Sequence, residues 1–271
     1  MLRIYCKNTG TFKEFQEGST LLDMIPEFDF ERPYEIISAK VNNVSQGLKF
    51  RVFNNRDVEF LDYRTYAGRN VYCRSLCFLL CKAAQDLFPG CKVVIRRPIS
   101  KGYFCRLDKP GGESMHRDDI AAIRERMQQL VAADTPFRRY EVQATEAISL
   151  FRGLGMPDKV KLLETCGEVY VSYYTLEGFA DYYCGALVPS TGYLKIWSLE
   201  PYHGGMLLRV PDRHHPENLA PFYEQPKTFD VFAESIKWNR IMGLDNVGDV
   251  NLACLGGKAS DLIQVAEALQ E

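Results

Sequence analysis

Val71-Tyr72-Cys73-Arg74-Ser75-Leu76-Cys77-Phe78-Leu79-Leu80-Cys81-Lys82-Ala83-Ala84-Gln85-Asp86-Leu87-Phe88-Pro89-Gly90 is the stretch whose reading decides the fold. Leu76, Leu79, Leu80, Ala83, Ala84 and Leu87 recur three and four residues apart, which places them on one face of an α-helix. Pro89-Gly90 ends it, since proline has no amide for a further turn. Both flanks change to short apolar runs between turn residues, the pattern of strands. Downstream, Cys91 to Ile95 and Tyr103 to Leu107 read as strands, and Asp118 to Ala132 as a helix with Ile120, Ile123, Met127, Leu130 and Val131 on one face. Two short helices, Thr145 to Arg152 and Asp158 to Leu163, flank Gly153 and Gly155. Val169 to Tyr174, Phe179 to Tyr183, Tyr193 to Trp197 and Met206 to Val210 then read as strands.

Upstream, Leu2 to Cys6 alternates as a strand, Asn8-Thr9-Gly10 signals a turn, and Phe12 to Phe15 returns. Ser19 is placed to cap a short helix carrying Leu21, Leu22, Met24 and Ile25. Ile36 to Val41, Leu48 to Phe53 and Val58 to Leu61 follow as apolar runs between Asn42-Asn43 and Asn54-Asn55. Strand, strand, helix and further strands in this order suggest a β-grasp module. Past Pro211 a proline-rich connection leads to helical patterns at Phe229 to Met242, at Val250 to Leu255 and from Ser260 through Leu262, Ile263, Val265, Ala266 and Leu269. The expectation is an α+β chain: a small β-grasp domain at 1–64, a larger α+β module at 65–212, and a helical linker at 213–271 that runs on into a further domain.

The chain has 271 residues, with 46% hydrophobic and 25% charged residues, which excludes a disordered or collagen-like chain. Thirty-three Lys and Arg against thirty-five Asp and Glu give a net charge of -2, so a global polycation for wrapping nucleic acid is excluded. No apolar run approaches the roughly 18 residues of a membrane span, and the N-terminus lacks the pattern of a signal peptide. Nine cysteines, an odd number, read as reduced thiols in a soluble cytoplasmic protein.

Cys73, Cys77 and Cys81 make a stripe at helical spacing, but it borders the apolar face, has no histidine beside it and is not a Cys-x-x-Cys pair. It reads as core, because buried free cysteine behaves as a small hydrophobe. His214-His215 reads as a loop pair, and His116 and His203 have no Ser or Cys partner from which a triad could be built. Gly256-Gly257-Lys258-Ala259-Ser260 fails as a phosphate loop: Leu252 stands where the first glycine is needed and Ala259 where Ser or Thr is needed. It reads instead as a helix end followed by an N-cap at Ser260. Lys92, Arg96, Arg97, Lys101, Arg106 and Lys109 crowd one span with a single acid, Asp108. This is either a solvated strand edge or an anion site, with Arg96, Arg97, Lys101 and Arg106 as its candidate residues.

Ser75-Leu76-Cys77-Phe78-Leu79-Leu80, Leu87-Phe88-Pro89-Gly90-Cys91-Lys92, Gly102-Tyr103-Phe104 and 179–190 together resemble the editing domain of threonyl-tRNA synthetases. The β-grasp module ahead of it resembles the TGS domain of the same enzymes, and the resemblance covers residues 1 to about 210. This pairing is similar to bacterial proteins that fuse it to a P-loop uridine kinase. The family's metal-capable site uses His-x-x-x-His on the first helix and Cys-x-x-x-His in a later loop. Here those positions are Arg74 and Phe78, then Tyr183 and Leu187, while Lys159 and Asp181 match the pocket's lysine and aspartate.

The resemblance thus implies a degenerate pocket with no catalytic residue and no metal. The expected function is a non-catalytic, regulatory region of a uridine kinase, whose own domain would use ATP and magnesium. The alternatives are a stand-alone RNA- or nucleotide-binding module and, further off, an active editing hydrolase. Two states are open for the pocket. Asp181 pairs with both cations to form a plug, or an unpaired cation accepts a phosphate or carboxylate. The plug is the preferred expectation.

Overall fold

The computed structural model describes residues 1–268, with all side chains except those of Arg96, Arg97, Thr228, Asp230, Phe232 and Ala233. Leu269, the last apolar position of the final helical pattern, lies outside the described residues. The chain is mixed α+β, divided into two compact units. The first comprises 1–138, 175–179 and 183–224, the second 139–174, 180–182 and 225–271.

In the first unit β1 (Leu2–Cys6) and β2 (Thr11–Phe15) form a hairpin, followed by α1 (Leu21–Met24) and then β3 (Ser38–Val41), β4 (Val44–Gln46) and β5 (Arg56–Leu61). They make one sheet in the order β2-β1-β5-β3-β4, with β1 parallel to β5 and the other pairs antiparallel. The strand, strand, helix and further strands come in the expected order, and the sheet is mixed. Its core is Ile4, Cys6, Leu21, Met24, Phe28, Leu48, Val58 and Phe60. Each fully buried large apolar side chain there contributes about 1.5–3 kcal/mol.

Two details differ from the sequence reading. Thr20, not Ser19, caps α1: its hydroxyl accepts the Asp23 amide at 3.2 Å while the Asp23 carboxylate accepts the Thr20 amide at 2.9 Å. The Ser19 hydroxyl is spent on the Gln16 carbonyl at 2.8 Å. Leu48 to Phe53 is not a strand, although Leu48 and Val52 are buried. Asn42 and Asn43, at φ 47° and 66°, form a two-residue hairpin turn, so the pairing strand starts immediately, at Val44.

α2 (Tyr66–Leu87) follows, with Thr65 accepting the Gly68 amide at 3.0 Å as its N-cap. Then come β6 (Lys92–Ile99), β7 (Gly102–Asp108) and α3 (Arg117–Ala132). Lys82, on the buried side of α2, is held by Asp86 at 2.5 Å. Arg126 of α3 joins Asp86 at 2.9 Å and Glu177 at 3.3 Å.

The second unit holds α4 (Ala144–Gly153), α5 (Pro157–Cys166) and the larger part of β8 (Arg138–Gln143), β9 (Tyr170–Leu176) and β10 (Phe179–Asp181), strands in the sheet order β10-β9-β8. Ala147, Phe151, Val160, Leu163 and Val171 form its core. Back in the first unit, β11 (Ser198–Tyr202) and β12 (Gly205–Arg209) complete a sheet in the order β11-β12-β7-β6. The strand expected at Tyr193 to Trp197 is absent. The Ile196 amide donates to the Tyr72 hydroxyl at 3.1 Å, and the Ile196 carbonyl accepts from it at 3.0 Å, so neither is free for a ladder.

Three helices end the described chain: α6 (Pro226–Ile241), α7 (Val247–Leu255) and α8 (Ala259–Ala268). α7 packs on α5, where Gly248 lets the backbone approach the Lys161 stem and Lys161 pairs with Asp249 at 2.7 Å. α8 begins at Ala259, so Ser260 lies inside the helix instead of capping it. Among the described residues no helix is long and apolar enough to cross a membrane.

Candidate functional site

The period of α2 dictates which of its residues meet the following elements. Phe78 is fully buried, with its ring 5.6 Å from Phe137, 5.3 Å from Phe179 and 5.4 Å from Tyr183. The Phe137 and Phe179 contacts are edge-to-face, and such contacts add about 0.5–1.5 kcal/mol each beyond burial. One turn earlier, Ser75 donates to the Val71 carbonyl at 2.7 Å and accepts the Val188 amide at 2.9 Å. That bond holds the 184–190 loop against the helix. Leu187 on the same loop is buried.

Arg74 is held at both ends of its head group. Its Nε donates to the Asn70 carbonyl at 3.0 Å and its Nη1 to the Cys184 carbonyl at 2.7 Å. The neighbouring Gly185 has φ +117°, and a Cβ there would stand 1.6 Å from that Nη1. Only glycine gives the guanidinium this room. Arg74, Phe78, Tyr183 and Leu187 therefore belong to one packed region of the first unit. Its arginine, two rings and leucine stand at the four positions where the resemblance would put three imidazoles and a thiol.

Lys159 and Asp181 are both in the second unit, and the structure brings them together: Nζ lies 3.0 Å from Oδ1. Asp181 is buried and also accepts the Tyr182 amide at 2.7 Å. Burial pushes its carboxyl above the ordinary aspartate range, and the opposing pull of Lys159 and the Tyr182 amide does not cancel it. The pair is thus a desolvated carboxylate with one cation at the rim.

Of the cysteine stripe, Cys73 and Cys77 lie within the core and Cys81 is half-buried. Burial pushes the thiols of Cys73, Cys77 and Cys105 up, which keeps them protonated and poor as nucleophiles or metal ligands near neutral pH. Among the described residues no group of three or more His, Cys, Asp or Glu is placed to hold a metal ion.

Of the basic span, Arg106 makes a two-point pair with Asp108 at 2.7 and 2.9 Å, and Lys101 faces Asp212 at 3.8 Å. Lys109 is bound to Asp119 at 2.8 Å. Arg96 and Arg97 stand on β6 where the register shifts between Ile95 and Pro98, and their side chains lie outside the described set. The histidines sit at local bends. His203 is at φ 41° in the β11–β12 turn, the His116 amide binds Asp119, and the His214 and His215 amides cap Asp212.

No protein-family model matches the chain. Over 196 residues it is 30% identical to the threonine-tRNA ligase of Syntrophomonas wolfei, covering 72% of this chain and 30% of that relative. It is 27% identical over 186 residues to the enzyme of Porphyromonas gingivalis, and 29% over 188 residues to that of Carboxydothermus hydrogenoformans. The chain is similar to one segment of threonine-tRNA ligases. It spans less than a third of the length of these relatives.

Sequence reading found Arg74, Phe78, Tyr183 and Leu187 by aligning motifs, but missed what surrounds them. Phe137 and Phe179, Ser75, the Cys184 carbonyl and Gly185 become partners only through contacts distant in sequence. The one local signal was Cys184-Gly185, a glycine directly after an exposed loop residue.

Proposed function

We propose that this chain is a synthetase-like accessory region that keeps an editing-like scaffold without ester hydrolysis, and that it is the regulatory part of a uridine kinase. Its first 64 residues would be the TGS-like domain and 65–212 the degenerate editing-like domain. A kinase domain following 213–271 would bind ATP and magnesium and carry phosphoryl transfer.

The observation that carries this reading is the four-ring cluster around Phe78. Hydrolysis of an aminoacyl ester needs a group that activates water, and a metal would need nitrogen or sulfur ligands. A phenylalanine packed against Phe137, Phe179 and Tyr183 offers neither and fills the volume a ligand would need. Arg74 cannot act as a base, because a guanidinium stays protonated.

The test has two parts. Purified chain is incubated with seryl-tRNA carrying a threonine anticodon, and ester loss is compared with the uncatalysed rate. The expected result is no difference, and no stoichiometric zinc after mild chelation. Turnover above background that is abolished by Asp181→Asn would overturn the non-catalytic reading. For the kinase, a natural sequence after Glu271 lacking Gly-x-x-x-x-Gly-Lys-Ser/Thr would remove that half of the proposal and leave the first intact.

A further inference from the structure

The five-stranded sheet ends at β2, and that edge borders a groove of about 650 Å³. Thr9, Thr11 and Lys13 of the hairpin line it, together with Asp29, Phe30 and Glu31 from the segment after α1. The unused backbone on this edge can be assigned. Arg3 donates its amide to Asn55 Oδ1 at 2.9 Å and Lys7 donates to the Val58 carbonyl at 2.8 Å, both toward the β5 side. Backbone groups alternate in direction along a strand, so Leu2, Ile4 and Cys6 face β2, where their partners are Phe15, Lys13 and Thr11. The amides and carbonyls of Phe12 and Glu14 therefore point outward, and among the described residues no backbone hydrogen bond takes them.

The chemistry of the groove is also specific. The Lys13 ammonium is occupied by the Glu27 carbonyl and stands 5.8 Å above the Phe28 ring. Arg32 donates to the Phe28 carbonyl and lies 4.7 Å over Phe30. Asp29 and Glu31 are exposed and make no ion pair among the described residues. Phe30 is stacked on Phe60 at 5.7 Å, which makes it a fixed apolar surface between the two carboxylates.

The geometry points to a strand-addition site: an extended segment of a partner protein, with lysine or arginine at alternate positions, pairs with β2. Its backbone bonds to the outward groups of Phe12 and Glu14. Alternate side chains of an extended chain fall on one face, so its cations meet Asp29 and Glu31 while its apolar stems cover Phe30. This site is independent of the editing-like region and of any reading of it.

The experiment titrates the ¹⁵N-labelled chain with an end-blocked heptapeptide of alternating lysine and valine, following backbone amide resonances. Saturable shifts centred on the Phe12 and Glu14 amides are expected. Glu14→Pro deletes one outward donor and leaves the Thr11, Lys13 and Phe15 ladder bonds in place, so it should weaken binding about tenfold or more. Asp29→Lys and Glu31→Lys, on an exposed segment, should each weaken it by a similar factor and keep the test decisive if the proline variant does not fold. Absence of saturation, affinity unchanged in the charge-reversed variants, or equal shifts produced by spermidine at the same concentration would overturn the proposal.

Discussion

In the first unit three rings pack against that of Phe78, whereas around Asp181 the second unit holds a carboxylate buried against a lysine. The first arrangement stabilises by burial and ring contact. The second costs desolvation, and the raised titration of Asp181 shows that its attraction to Lys159 does not repay that cost. Two regions that the resemblance assigns to one pocket are thus built on opposite energetics. Packing explains the aromatic region completely. It does not explain the ion pair, which makes that pair the place to look for residual polar function.

The largest effect expected is from Phe78→Ala, which should lower unfolding free energy by about 3–5 kcal/mol in denaturant titration. A loss below about 1 kcal/mol would mean the cluster is loosely packed and the comparison fails. Gly185→Ala comes next, at about 1–3 kcal/mol, because a side chain at φ +117° is strained and its Cβ collides with Arg74 Nη1. The guanidinium can yield only by leaving the Cys184 carbonyl, so Arg74→Ala and Gly185→Ala should be non-additive. The double variant should be less destabilised than the sum of the singles.

Lys159→Met leaves Asp181 buried without its cation. Full burial would make that severe, but the Lys159 side chain is 26% exposed, so about 1–2 kcal/mol is expected. The smallest effect is that of Asp181→Asn, and its sign depends on pH. The folded-state pKa of Asp181 lies above the ordinary 3.8, so the native protein holds this proton more tightly than the unfolded chain. Its contribution is complete below the ordinary 3.8 of the unfolded chain and is lost as pH rises through the folded pKa. The asparagine variant has no such loss, so its thermal midpoint should gain on the wild type as pH rises above the ordinary aspartate value and through the folded-state one. A difference that does not change with pH would show that Asp181 is not desolvated, and the contrast with the aromatic region would narrow.

Legibility in sequence tracked locality. α2 was readable because its face repeats at helical period, and β1 with β2 because a turn signal joins two alternating runs. β8 was not, since Arg138 to Gln143 carries charged residues on both faces and four of its six residues in a row are exposed. Leu48 to Phe53 misled for the reverse reason: apolar residues can fill a core from a loop, and burial alone does not specify pairing. At the site, aligned motifs located Arg74, Phe78, Tyr183 and Leu187 but were silent on Phe137, 59 residues from Phe78 by the numbering.

By itself the sequence determined the residue types at each position: no imidazole on α2, no thiol and imidazole four apart in the 183–187 loop, no phosphate loop, and apolar runs enough to build α2 and the core of the first sheet. These follow from chemistry carried by single residues or short repeats. The tertiary structure decided which of those residues meet. It set Phe78 among three rings, pressed Arg74 beneath Gly185, buried Asp181 against Lys159 and left one edge of β2 beside an acidic groove. Such contacts depend on where distant strands and helices come to rest, and a short-range pattern carries no information about that.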